Sequence, residues 1–200
     1  MAARIVVLIS GAGSNMHALV DACRAREVPG EVVAVVADRV CAGIENARAE
    51  GIDTAVLDPR GYATREEWSA ALRDLVQGFA PDLVVSAGFM RILAPVFVAA
   101  FSGRLINLHP SLLPAYPGAH AVRDALEDGA RVTGTTIHFV DDQVDHGPPI
   151  LHEEVAVEPG DDVRTLHERI KAAEHRLLPE ACRLVLSGRA VLDGDTVRRT

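Results

Sequence analysis

Five strand-like runs alternate with helical stretches along the first part of the chain, at 4–9, 31–36, 53–57, 82–86 and 104–108, and the first is a continuous apolar run. Unbroken hydrophobicity such as that of the first run is the pattern of a strand buried on both faces of a parallel sheet. Between the runs, Met16, Leu19, Val20 and Cys23 recur at helical spacing, and 43–50 reads as a helix stopped by Gly51. The stretch 62–79 places Trp68, Leu72, Leu75 and Val76 on one side, and a short helix starts at Pro95. This alternation predicts an α/β fold, a doubly wound, mostly parallel, Rossmann-like sheet with helices on both faces. The pattern changes after Pro114. A short helix over 121–128 precedes strands at 132–140 and 150–157, expected to be antiparallel across the loop 141–149. Asp161 is the expected cap of a long helix reaching about Ser187, with Pro179 expected to kink or interrupt it. A last hairpin is expected around Asp193 and Gly194. One domain over 1–200 accounts for all of this, with a nucleotide-binding-like half at 1–103 and a second half at 104–200.

The net charge of −8 speaks against a nucleic-acid or membrane-surface role, both of which want basic patches. Cys23, Cys41 and Cys182 show neither metal-ligand spacing nor a disulfide framework, which suits a reducing compartment. No signal peptide or run of membrane-spanning length is evident, so the expected location is the cytoplasm.

Three stretches carry chemistry. Asn107 and His109 sit two apart where the fifth run ends, so on a strand both face the same side. The amide offers a donor to a developing oxyanion, and the imidazole moves protons near neutral pH. A plain strand end, with His109 satisfied by a carbonyl, is the competing reading. Gly11-Ala12-Gly13-Ser14-Asn15 follows a buried strand and opens a helix, where free backbone N–H groups attract an anion. The dinucleotide fingerprint wants a third glycine where Met16 stands, although Asp38 occupies the place of its ribose-binding acid. Asp145 lies in an acidic loop with Asp141 and Asp142, and any of the three is placed to favour an imidazolium at His109. His109, His120 and His138 lack zinc-site spacing, so no metal is expected, and His138 reads as a structural histidine facing the same side as Thr136. Lys171 and Glu174, three apart on the last helix, form a surface pair or meet a substrate.

The motifs ISGAGSN at 9–15, AGFMRIL at 87–93, INLHPSLLP at 106–114, PGAHA at 117–121 and DHGPPI at 145–150 resemble, in order and spacing, those of the folate-dependent phosphoribosylglycinamide formyltransferase family. The resemblance covers nearly the whole chain and is weakest after about Gly188. It implies transfer of the formyl group of 10-formyltetrahydrofolate, as co-substrate, to the amine of phosphoribosylglycinamide in purine synthesis. Asn107 would donate to the oxyanion and protonated His109 would act as acid toward the leaving folate nitrogen. Asp145 would hold His109 charged and order a proton-shuttling water. Gly13, Ser14 and Asn15 would cradle the phosphate, with Glu174 at the glycinamide part and Lys171 nearby. Arg65, Met90, Arg91, Ile92 and Leu93 would line the folate site, with Asp141, Asp142 and Val144 on its pterin side. The family's Leu–Pro bond at 113–114 is cis. His146 and Pro149 depart from its pattern beside Asp145. The methionyl-tRNA enzyme carries an extra C-terminal domain for which 200 residues are expected to leave no room, and the formyltetrahydrofolate hydrolase carries an extra N-terminal domain, not expected where the first strand begins at Arg4. That hydrolase is the first alternative; a nicotinamide oxidoreductase and a non-enzymatic binding module follow. Small-molecule substrates are the expected partners, and a homodimer is possible.

Overall fold

Side chains of the first apolar run leave the strand alternately for two separate cores. Ile5, Val7 and Ile9 join one, Val6 and Leu8 the other, and all five are fully buried. The computed structural model describes residues 2–199. Its elements run β1 (Ala3–Ile9), α1 (Ser14–Arg24), β2 (Gly30–Ala37), α2 (Ala42–Ala49), β3 (Asp53–Val56), a 3-10 turn (Pro59–Gly61), α3 (Arg65–Gly78), β4 (Leu83–Ser86) and α4 (Pro95–Ala100). They continue as β5 (Leu105–His109), α5 (Ala121–Glu127), β6 (Val132–Phe139), β7 (Pro149–Ala156), α6 (Val163–Leu186), β8 (Ala190–Asp193) and β9 (Thr196–Arg199). Seven strands form one sheet in the order β3-β2-β1-β4-β5-β6-β7. The first five are parallel; β6 and β7 add on antiparallel, as expected. The hairpin β8-β9 is a separate small sheet, turning at Gly194 and Asp195.

Helices cover both faces. On one, Met16, Leu19 and Val20 of α1, Ile44 of α2 and Leu178, Ala181 and Cys182 of α6 pack on the odd-numbered residues of β1. On the other, Trp68, Leu72 and Val76 of α3, Phe97 of α4 and Phe101 just beyond it cover the even-numbered ones. The sheet order reverses direction between β1 and β4, so the loops leaving their carboxyl ends diverge and open a crevice.

Three local expectations are corrected. Helix α3 starts at Arg65 rather than Tyr62, because the Thr64 hydroxyl accepts the Glu67 N–H and caps it there. Asp162, not Asp161, caps α6: its carboxylate accepts the Thr165 N–H at 2.7 Å while the Thr165 hydroxyl accepts the Asp162 N–H. Asp161 instead receives both terminal nitrogens of Arg169, at 2.8 and 3.0 Å. Pro179 does not interrupt α6, which is helical from Val163 to Leu186. An interior proline costs about 3 kcal/mol, and burial of Leu178, Ala181 and Cys182 around it offsets that cost.

Candidate active site

The crevice between the loops after β1 and β4 deepens into a cavity of about 720 Å³ whose floor includes the end of β5. Asn107 and His109 enter it from β5, as period two requires. The 141–145 loop, joining β6 to β7, closes one side, and α6 supplies Lys171 and Glu174. A smaller cavity of about 410 Å³ between α1 and α6 holds none of the expected site residues.

At the end of β5, Asp145 is the acid that reaches His109. Its Oδ2 lies 3.3 Å from His109 Nδ1 and accepts the Gly118 N–H at 2.8 Å. Asp141 is occupied elsewhere, pairing with His146 at 2.7 Å. His109 is buried, and its Nε2 stands 2.8 Å from the Tyr116 carbonyl. Acceptors therefore face both ring nitrogens, and an imidazolium, which donates twice, satisfies both. Asn107 Nδ2 lies 3.1 Å from His138 Nε2 and 3.4 Å from Asp145 Oδ1. The backbone of Asp145 is left-handed, with φ of +52°, which turns its carboxylate back over the strand. Below the site, the Thr136 hydroxyl donates to the Ser111 carbonyl and accepts the Leu113 N–H, bracing a turn whose Leu113–Pro114 bond is cis.

The opposite end of the cavity is built on the start of α1. Gly13, with φ of +77°, precedes the helix and has no side chain to cap it, so the first N–H groups of α1 lack intrahelical acceptors. A Cβ at Gly13 would come within 3.3 Å of the Gly43 Cα of α2, so glycine also permits the close approach of helix and loop. Asn15 reaches across to α6 and donates to Glu174 Oε2 at 2.8 Å. Burial pushes the Glu174 carboxyl above its usual range, opposed by Asn15 and by Lys171. Asn15 Oδ1 is buried with no protein partner, an acceptor left for a ligand donor. Lys171 pairs with Glu168 at 2.9 Å.

Every expected site residue except Arg65 lines this cavity. Arg65 opens α3 on the surface, outside the lining of this cavity, where it pairs with Glu66 at 3.3 Å. Asp38 is buried, its Oδ2 accepts from Arg91 Nε at 2.7 Å and Arg39 Nη2 at 2.8 Å, and Arg39 Nε lies 3.2 Å from Oδ1, so arginine engages both carboxylate oxygens. The nicotinamide alternative loses its acid there. His138, expected to be structural, is part of the cavity wall and touches Asn107. Gly118 and Tyr116 went unassigned in the sequence; PGAHA was the only signal near them. Among the described residues no group of three or more His, Cys, Asp or Glu side chains is arranged to hold a metal ion.

Residues 3–182 match the model of the formyl transferase family. The chain belongs to that family. It is 47% identical over 176 residues to phosphoribosylglycinamide formyltransferase of Escherichia coli K12, covering 88% of this chain and 83% of that protein. It is 45% identical over 187 residues to the human trifunctional purine biosynthetic protein adenosine-3, covering 93% of this chain but spanning only 18% of the human protein's length. Among solved structures, glycinamide ribonucleotide transformylase 1 from Symbiobacterium toebii superposes with a TM-score of 0.96 at 47% identity, over 98% of this chain and 93% of that one. The formyl transferase sheet, with its antiparallel addition and long last helix, is the fold seen here.

Proposed function

We propose that this chain transfers the formyl group of 10-formyltetrahydrofolate to the primary amine of phosphoribosylglycinamide. The reading is carried by the convergence of Asn107, His109 and Asp145 on one wall of a cavity that ends at the open amino terminus of α1. The ribonucleotide phosphate would meet the N–H groups following Gly13, at Ser14 and Asn15, and its glycinamide part would meet Glu174 beside Lys171. The folate would lie along Met90, Arg91, Ile92 and Leu93, with its pterin toward Asp141, Asp142 and Val144.

The amine attacks the formyl carbon, and the carbonyl pair moves onto oxygen. Asn107 has two amide protons, and the one turned toward Asp145, whose Oδ1 lies 3.4 Å from the amide nitrogen, is the loosely held one. That proton turns to the oxyanion as charge develops. His109, charged between Asp145 and the Tyr116 carbonyl, gives a proton to the folate nitrogen as the C–N bond breaks. The oxyanion pair re-forms the carbonyl as that bond breaks, and the attacking nitrogen passes one proton through water held at Asp145 to His109, so the enzyme ends as it began.

The test is an absorbance assay with 10-formyltetrahydrofolate, run with and without the ribonucleotide. Deformylation that requires the ribonucleotide and yields its formylated form supports the proposal. Formate release without it makes the protein a hydrolase, and no turnover in either case overturns both readings.

A further inference from the structure

We infer that His138 is a positioning residue for this chemistry: it fixes the sense of the Asn107 amide, so that an N–H rather than a C=O is presented beside Asp145. The inference rests on the formyl-transfer reading and adds a residue to it.

Asn107 and His138 stand directly opposite each other in the antiparallel pairing of β5 and β6. His138 is buried, at 2% exposure, and its Nδ1 lies 2.8 Å from the Phe139 carbonyl. A carbonyl oxygen only accepts, so Nδ1 carries the proton. In the neutral ring Nε2 is then a lone-pair acceptor, and it lies 3.1 Å from the Asn107 amide nitrogen. Burial holds the ring below the usual histidine range, with repulsion from His109 adding to the effect; the Phe139 carbonyl, Asp145 and Asp141 pull the other way.

An acceptor at that position admits one orientation of the amide. Rotation of Asn107 by half a turn would set its oxygen against the lone pair of His138 Nε2 and against the Asp145 carboxylate together. Asp145 alone is a poor guide for the amide, because it sits on a loop and its 3.4 Å contact is the one exchanged during the reaction. His138 is on a paired strand and keeps its contact while the second Asn107 proton moves to substrate. A leucine or methionine would fill the same space without requiring a partner at either ring nitrogen, yet both nitrogens of His138 are matched.

Three variants at this position separate acceptor chemistry from packing. In His138→Gln the side-chain oxygen still reaches Asn107; in His138→Asn it falls one carbon short; in His138→Leu there is no acceptor. The expected result is a fall in kcat of roughly 100-fold for the Leu and Asn variants, of the order seen when an oxyanion donor is lost. Both KM values stay within about threefold, and the Gln variant recovers most of kcat. Unchanged turnover in the Leu variant, or equal losses in Gln and Leu, would overturn the inference. Nitrogen-15 NMR of the unliganded parent reads the same feature without substrate: His138 protonated at Nδ1 supports it, and protonation at Nε2 overturns it. A parent that shows the Nδ1 tautomer but transfers no formyl group would sink the transfer reading, and with it the catalytic use of this contact.

Discussion

Asp145 is the side chain through which most contacts of the reacting end pass. One oxygen accepts from Gly118 and faces His109, and the other faces Asn107. Asn tolerates the left-handed backbone of this position, so Asp145→Asn keeps the shape while removing the charge and turning one acceptor oxygen into a donor. The expected outcome is a kcat lower by about 100- to 1,000-fold, with ribonucleotide affinity by calorimetry nearly unchanged. A variant as fast as the parent would remove Asp145 from the mechanism. Gly13 tests the other end of the cavity. A side chain there is strained at φ of +77° and presses on Met16 and Gly43, which displaces the N–H groups of α1. For Gly13→Leu the ribonucleotide KM should rise roughly tenfold or more, the cost of one charge-assisted hydrogen bond. Steady-state kinetics that leave KM where it was would end the phosphate-cradle assignment.

At the scale of elements, α6 does the most to join site and scaffold. Its first turns pack Leu166 and Ile170 on Val122 and Val155, its middle presents Lys171 and Glu174, and its last turns complete the core over β1. The start of α6 is held by the Asp162–Thr165 box and by Asp161 with Arg169. Arg169 holds the Asp161 carboxyl down to about 2, with the Glu158 N–H and Thr165 helping, against about 3.9 in an unfolded chain. A carboxyl whose folded value is depressed stabilises fully above the unfolded value and loses that contribution as pH falls toward the folded one. The Tm of Asp161→Asn should therefore lie below that of the parent at neutral pH, and the two should converge as pH falls from about 4 toward 2. A constant gap across that range would show that the pair does not titrate with folding.

At the scale of the molecule, residues 1–103 and 104–200 share the larger core, while the core under α3 and α4 is drawn almost wholly from the first half. Ile5, Val7 and Ile9 of the first half are covered by Leu178, Ala181 and Cys182 of the second, and Asn15 bonds to Glu174 across 159 residues of chain. A fragment of residues 1–103 would keep α1 and α2 on that face of β1 but lose Leu178, Ala181 and Cys182 of α6 from it. We expect that fragment to lack a cooperative thermal transition by circular dichroism while the full chain shows one. A sharp transition in the fragment would mean that the first half is a domain by itself.

Much of this architecture is legible in the chain before it folds. Val6 and Val7 are adjacent and both apolar because they face opposite cores, and Asn107 and His109 share a face because strands repeat every two residues. Such features depend on local geometry and on burial, which composition records directly. The choice of Asp145 over Asp141 and Asp142 is of another kind, as are the pairing of His138 with Asn107, the capture of Asp38 by Arg91 and the surface position of Arg65. Each depends on strand register or on the path of a loop. Asn107 meets His138 only because β5 and β6 pair in one register, the two residues standing 31 positions apart in the chain. Contacts between residues so far apart are decided by how the packed elements come together, and the residue types at either end are compatible with several outcomes until they do.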